Sequence, residues 1–168
     1  MIEYIDRNYL EIKSLEALVE SKIPNIDFSI NVQKSEDFQI NKFLYKNIGK
    51  KHNWTDRLVW SDQDWIKYFS DPKVETYILK INEDLAGYFE SIVHFDTKEI
   101  EIAYFGLLEE YHNKKLGGYL LSYAIKNSFK KKEIKRVWVH TCSLDHKNAL
   151  KNYLSRGMKI YKKETIKI

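Results

Sequence analysis

The stretch whose reading decides the fold is Glu99–Lys126, EIEIAYFGLLEEYHNKKLGGYLLSYAIK. From Glu99 to Leu107 polar and apolar residues alternate, with many β-branched and aromatic side chains, which predicts a strand. From Leu116 to Ile125 the apolar positions are Leu116, Leu120, Leu121, Ala124 and Ile125, the stripe of a helix lying on a sheet. The polar loop between them ends in Gly117-Gly118, where the helix is expected to begin. A strand, a tight loop and a helix N-terminus form an anion cradle: backbone N–H groups without intrahelical partners point one way, and the helix dipole adds positive charge. Bare glycine Cα atoms would let a diphosphate come close to the backbone. The chain has neither GxGxxG nor GxxxxGK[ST], so a helix that merely begins with two glycines stays an equal reading of this stretch alone.

The rest of the chain bounds the answer. Its 168 residues suit one α/β domain over 1–168, in which 1–24 form an N-terminal extension whose structure the pattern leaves open. Hydrophobic residues at 43% and aromatics at 14% argue against disorder. The single cysteine, Cys142, excludes an internal disulfide and suits a reducing compartment. No apolar run approaches a membrane span, and the start MIEYIDRNYLEIK has no basic n-region or apolar h-region, so a cytoplasmic protein with no membrane partner is expected. Net charge is +4 but unevenly placed: eight acidic residues face four basic ones from Met1 to Ile40, while Lys114–Arg136 holds eight basic residues and only Glu133. The basic segment follows the cradle, so its positive field is expected in the same half of the molecule. It would suit a polyanionic cofactor. Nucleic acid is the less favoured partner, and a solvated helix end is the plainer account of KKKEIKR.

In chain order, Tyr4–Ser14 suggests a short strand and Leu15–Ser21 a short helix. Asn25–Lys34 alternates Ile26, Phe28, Ile30 and Val32 as a strand. Ser35, followed by Glu36 and Asp37, reads as the N-cap of a helix that stops at Gly49. His52–Trp60, HNWTDRLVW, is an aromatic and charged loop. Ser61-Asp62-Gln63-Asp64 caps a second helix that ends before Pro72. Strands follow at Val74–Ile81, Leu85–Phe95 and Glu99–Leu107, read as an antiparallel meander. Beyond the central helix come a strand at Arg136–Thr141, a helix at Lys147–Ser155 closed by Gly157, and a last strand at Lys159–Lys167. Only the step from strand 99–107 to strand 136–141 must be parallel and right-handed.

This order, with a cradle after the meander, resembles the Gcn5-related N-acetyltransferase (GNAT) superfamily from about Asn25 onward. The family loop Q/R-x-x-G-x-G/A stands here as His112-Asn113-Lys114-Lys115-Leu116-Gly117, followed by Gly118; the last glycine matches, while His112 and Lys115 depart. A second block, HKNALKNYLSRGM, matches N-x-x-A-x-x-x-Y and G-F, with His146 at the Asn position, Ala149 and Tyr153 in register, and Gly157-Met158 after them. HNWTDRLVW, EIAYFGLL and VWVHTCSLDHKNALKNYLSRG together look like a bacterial subgroup of these acetyltransferases, a likeness that assigns no acceptor.

The resemblance implies an α/β GNAT fold: a mixed sheet of an antiparallel meander and a parallel β-α-β step, with helices on both faces. It implies acyl transfer from acetyl-CoA (CoA) to a primary amine of a small molecule or peptide by direct attack. The alternative is a nucleic-acid-directed protein, acting on charged tRNA or binding RNA through residues 114–136. CoA is expected along Phe105, Gly106 and Leu107 and on Asn113, Lys114, Lys115, Leu116, Gly117, Gly118 and His146.

Direct attack needs a base, donors for the carbonyl oxygen and an acid for the thiolate. It needs no metal, and no zinc-type Cys and His spacing is present. Glu101, eleven residues before His112, stands where histone-acetyltransferase-like members carry their catalytic glutamate. Strand parity puts it on one face with Ala103 and Phe105, where aromatic walls would raise its pKa; a solvent-facing strand glutamate is the plain alternative. Glu90 and His140 are its rivals. Tyr153, matching the family tyrosine, is the candidate acid. Cys142 reads as a small buried strand residue. Trp54, Asp56, Arg57 and Trp60 lie in the connection that overlies the acceptor site in this fold. Trp54, Arg57, Glu90 and His140 are therefore the candidate acceptor contacts. Exposed edge strands of such a sheet leave room for a homodimer.

Overall fold

A computed structural model describes residues 4–167. Its seven strands are β1 (Tyr4–Ile12), β2 (Phe28–Gln33), β3 (Val74–Ile81), β4 (Asp84–His94), β5 (Glu99–Leu107), β6 (Arg136–Cys142) and β7 (Lys159–Lys167). They form one sheet in the order β2-β3-β4-β5-β6-β1-β7. The helices are α1 (Phe38–Gly49), α2 (Asp62–Phe69), α3 (Leu116–Phe129) and α4 (Ala149–Ser155). The meander has four antiparallel strands, β2 to β5, and β5 to β6 is the parallel step through α3.

Each sheet face buries its own core, as strand alternation requires. On one face Leu116, Leu120, Leu121, Ala124 and Ile125 of α3 pack with Leu10, Ile12, Phe89, Ile102, Val137 and Val139. On the other, Leu44 and Ile48 of α1 meet Ile78 and Tyr88, and Tyr45, Trp65 and Phe69 form an aromatic cluster beside them. α2 starts with a capping box, Ser61 and Asp64 bonding each other's backbone N–H groups.

Several expectations are corrected. The structure of 1–24, left open by the sequence, includes β1, which pairs with both β6 and β7 and lies inside the sheet. Leu15–Ser21 gives only a three-residue 3₁₀ turn, Leu15–Ala17. Its neighbours bond elsewhere: Val19 N–H to the Arg156 carbonyl and Ser21 N–H to Ser122 Oγ. Ser35 opens a 3₁₀ turn, and α1 follows from Asp37 without a side-chain cap. Gly49 does not end α1 by a left-handed turn; a Cβ there would lie 2.5 Å from Trp54 Cβ, so glycine makes room for the tryptophan. α4 begins at Ala149 because Asp145 first takes the Cys142 N–H and the Thr141 hydroxyl, closing a turn.

Strand parity also fails in β5. Tyr104 faces Glu90 and Ile102 faces Ser91, so Ala103 is the extra residue of a β-bulge. The bulge puts Ile102 and Phe105 together on the α3 face. Glu101 goes to the opposite face, away from Phe105.

Candidate active site

β5 and β6 pair only over Glu99–Glu101 and Arg136–Trp138. Beyond Glu101 they part, and a cleft of about 990 Å³ opens between them. The β5 edge from Ile102 to Leu107 then has no strand beside it, which leaves backbone N–H and C=O groups facing the cleft. At one end the cleft reaches the N-terminus of α3, and at the other Glu101, His140 and Arg7.

The α3 end fits a diphosphate. α3 has no side-chain cap and no acidic residue in its first turn, so its first N–H groups are free of both. Asn113 and Lys115 hold φ near +60°, the left-handed turn that the family writes with glycine at the Lys115 position. A Cβ on Gly117 would find only ordinary contacts, Asn152 Nδ2 at 3.7 Å and Leu107 Cδ1 at 3.8 Å, so the space above it is open. Gly118 is bare for a different reason: a Cβ would lie 2.6 Å from Arg156 Nη1 and 2.9 Å from Ser21 Oγ. Arg156 thus rests its guanidinium on the first turn of α3, while Asn152 donates to the Gly117 carbonyl at 3.1 Å.

Three histidine rings gather above this loop. His112 and His146 meet edge-on at 4.8 Å between centroids, and His52 and His146 at 6.1 Å. His112 Nε2 donates to the Leu107 carbonyl at 3.0 Å, and His52 Nδ1 to the Leu144 carbonyl at 3.2 Å. His146 Nδ1 accepts from the Asn148 N–H. Burial, with His112 and His52 beside it, pushes the His146 pKa down, which keeps the ring neutral. Among the described residues no three His, Cys, Asp or Glu side chains are grouped to hold a metal ion.

Tyr153 is 6% exposed and lines the cleft with its ring 6.3 Å from that of Phe105. Burial, and then the charge of Asp145, raises its pKa, so the phenol holds its proton at neutral pH. Across the sheet Glu101 Oε2 meets His94 Nε2 at 3.0 Å, and the His94 ring stacks on Trp138. His140 lines the cleft beside Tyr9; burial first and Arg7 second lower its pKa. Cys142 is half-buried and lines the cleft.

Of the expected cofactor positions, Phe105, Gly106, Leu107, Asn113, Lys115, Leu116, Gly117, Gly118 and His146 all line the cleft. Lys114 does not; its ammonium lies over the Tyr111 ring at 5.3 Å. Trp54 lines the cleft, held between Tyr45 and Tyr104. Glu90 does not reach the cleft. It is fully buried, both oxygens taken by Arg57 at 2.7 and 2.8 Å, with the Tyr68 hydroxyl donating at 2.5 Å. Arg57 is sandwiched 4.3 Å from the Tyr68 and Tyr104 rings. Glu90 is therefore the counter-charge of Arg57, and neither of its oxygens is left for an acceptor's proton.

The basic segment is corrected too. Lys130–Arg136 lies beyond the C-terminus of α3, about 21 Å along the helix from the cradle at 1.5 Å per residue. Three of the eight cations of Lys114–Arg136 are paired with acids from elsewhere in the chain: Lys126 with Glu20, Lys131 with Glu75, and Arg136 with Glu11 and Glu99. Glu11 and Glu20 of the acidic N-terminal part thus reach the basic part, while Lys130, Lys132 and Lys135 stay exposed, as at a solvated helix end.

Reading from sequence missed Asn152 and Arg156, although Asn152 on α4 and Arg156 at its C-cap stand four residues apart on the side that touches α3. It also missed Arg7, for which no local signal exists.

The sequence signature of the Acetyltransferase (GNAT) family matches residues 37–158. The chain belongs to this family. No curated protein matches it. Among solved structures, a GCN5-related N-acetyltransferase from Sphaerobacter thermophilus superposes with TM-score 0.71 at 11% identity, over 97% of this chain and 50% of that one. One from Kribbella flavida gives 0.69 at 14%, over 99% and 58%. An aminoglycoside acetyltransferase from an uncultured soil metagenomic sample, in complex with trehalose, gives 0.64 at 13%, over 77% and 86%. The chain thus spans about half the length of the first two. At these identities the likeness is one of fold, and it agrees with the mixed sheet and helices on both faces.

Proposed function

We propose that this GNAT protein is an acetyl-CoA-dependent N-acetyltransferase acting on a primary amine of a small molecule or peptide. The observation that carries the reading is the single cleft at the parting of β5 and β6. It runs from the uncapped N-terminus of α3 on one face to Glu101 on the other, whose carboxylate is bonded to His94. Acetyl-CoA, which the family generally uses, supplies an acetyl thioester and a thiolate leaving group.

The backbone groups that face the cleft from Ile102 to Gly106 are placed to align the amides of an extended chain, as a missing strand would. The first turn of α3 and Arg156 grip the phosphates. Glu101 accepts the ammonium proton of the acceptor; His94 fixes one of its oxygens and leaves the other to the cleft. Tyr153, kept protonated by burial, gives its proton to the departing sulfur. Among the described residues no helix is long and apolar enough to cross a membrane, so nothing in these elements ties the reaction to a bilayer.

The test is thiol release from acetyl-CoA with a panel of amino acids, polyamines, aminoglycosides and peptides, for wild type and Glu101→Gln. An accepted amine is expected, with turnover of Glu101→Gln depressed at neutral pH and recovering at high pH, where the amine is already neutral. Thiol release with no amine in the panel would overturn acetyl transfer to these acceptors. An unaltered pH profile in Glu101→Gln would remove Glu101 as the base.

A further inference from the structure

Arg7 is a cation of the cleft that the proposed reaction leaves unused. β1 runs antiparallel to β6 with Tyr9 opposite His140 and Arg7 opposite Cys142. Leu10 and Ile12 of β1 pack into the core on the α3 face, so alternation turns Arg7 and Tyr9 to the other face. The Tyr9 ring, 5.6 Å from that of His140, agrees. Arg7 therefore enters the cleft from the acceptor side, with the sheet between it and the phosphate cradle.

Among the described residues no side chain bonds its guanidinium. Arg7 Nε is buried without a hydrogen bond, and among the described residues no carboxylate comes within ion-pairing distance of Arg7. The contrast is with Arg57, held by Glu90, and Arg136, held by Glu11 and Glu99. The acids that could serve Arg7 are engaged elsewhere. Glu164, opposite it on β7, is taken by Lys162 and the Tyr9 hydroxyl. Asp145 is taken by the Thr141 hydroxyl and the Cys142 N–H. A partly buried guanidinium with idle donors is costly unless an anion arrives to use them.

The opposite charge lies across β6. Glu101 is on β5 and lines the same cleft, as does Asp56 from the loop above. Arg7 and Glu101 are separated by two strand spacings and by four residues along β6, roughly 15 Å between Cα atoms at ordinary sheet dimensions. Both side chains lie on the same face of the sheet and line the same cleft.

We infer that Arg7 anchors a carboxylate of the acceptor, so the substrate is an amine that also carries a carboxylate, with several bonds between the two groups. A short peptide or an ω-amino acid fits this description, and a plain polyamine does not. The inference rests on reading the cleft as an acetyl-transfer site, and the experiment separates the two.

Calorimetry on the CoA-loaded protein would compare glycylglycine with glycylglycinamide, and lysine with cadaverine. Wild type is expected to bind the carboxylate-bearing member of each pair at least tenfold more tightly. Arg7→Gln should reduce that ratio to below twofold, and Arg7→Lys should keep part of it. Because the readout is a ratio within one variant, a general loss of stability does not imitate it. Equal binding of both members by wild type, no binding of either, or a ratio that survives Arg7→Gln would each overturn the anchor. Thiol release measured on the same four compounds tells the failures apart. Selective binding without release keeps the anchor and removes acetyl transfer, whereas release with a ratio near one does the reverse.

Discussion

Gly117→Asp separates ligand binding from folding, because the two effects have opposite signs. Gly117 is the second residue of α3, and a Cβ there meets nothing closer than 3.7 Å. Replacing a helical glycine by alanine removes about 0.5–1 kcal/mol of unfavourable backbone entropy, and by aspartate a smaller part of it. An acidic side chain in the first turn gains a further 0.3–1 kcal/mol from the helix dipole, roughly. The variant should therefore be as stable as wild type or melt a few degrees higher, at about 2–4 °C per kcal/mol for a chain of this size. Ligand binding moves the other way. A carboxylate about 4 Å from a phosphate costs about 1 kcal/mol in water and about 4 kcal/mol at the effective dielectric of a protein surface. That is roughly one to three orders of magnitude in CoA affinity. Calorimetric titration with CoA, run beside thermal melts of wild type, Gly117→Asp and Gly117→Ala, reads both quantities. Wild-type CoA affinity in Gly117→Asp would refute the cradle. A large drop in melting temperature would refute the claim that the space above Gly117 is open.

Tyr153→Phe keeps the packing against Phe105 and deletes the proton; turnover should fall by about 10²–10⁴-fold with CoA affinity unchanged. Wild-type turnover in that variant would mean that the sulfur is protonated by water. Glu90→Leu leaves the Arg57 guanidinium buried without its counter-charge and should cost about 3–5 kcal/mol, read as a lower urea midpoint. Adding Arg57→Met should restore much of the loss, and a single variant within 1 kcal/mol of wild type, roughly, would show the pair to be dispensable.

The sequence by itself determined the elements and the family. Those signals are local: alternation in Val74–Ile81 and Glu99–Leu107, the 3.6-residue stripe of α3, the capping box at Ser61, and the two spaced blocks ending in Gly117-Gly118 and at Tyr153. They also pointed to the stretch proposed to meet phosphate, because the free N–H groups and dipole of a helix N-terminus favour an anion. Tertiary structure alone decided the other side of the cleft. The bulge at Ala103 moved Glu101 to the face opposite Phe105, and a one-residue insertion leaves no trace in an alternating pattern. Glu90 read as a free carboxylate until Arg57, 33 residues away in the chain, was found on both its oxygens. Which cations of the basic run are paired was equally hidden, because Glu11, Glu20 and Glu75 reach Arg136, Lys126 and Lys131 from distant parts of the chain. Arg7 lay in a segment with no motif; only the pairing of β1 with β6 carries its guanidinium into the cleft, and such pairing is a contact between residues more than a hundred apart.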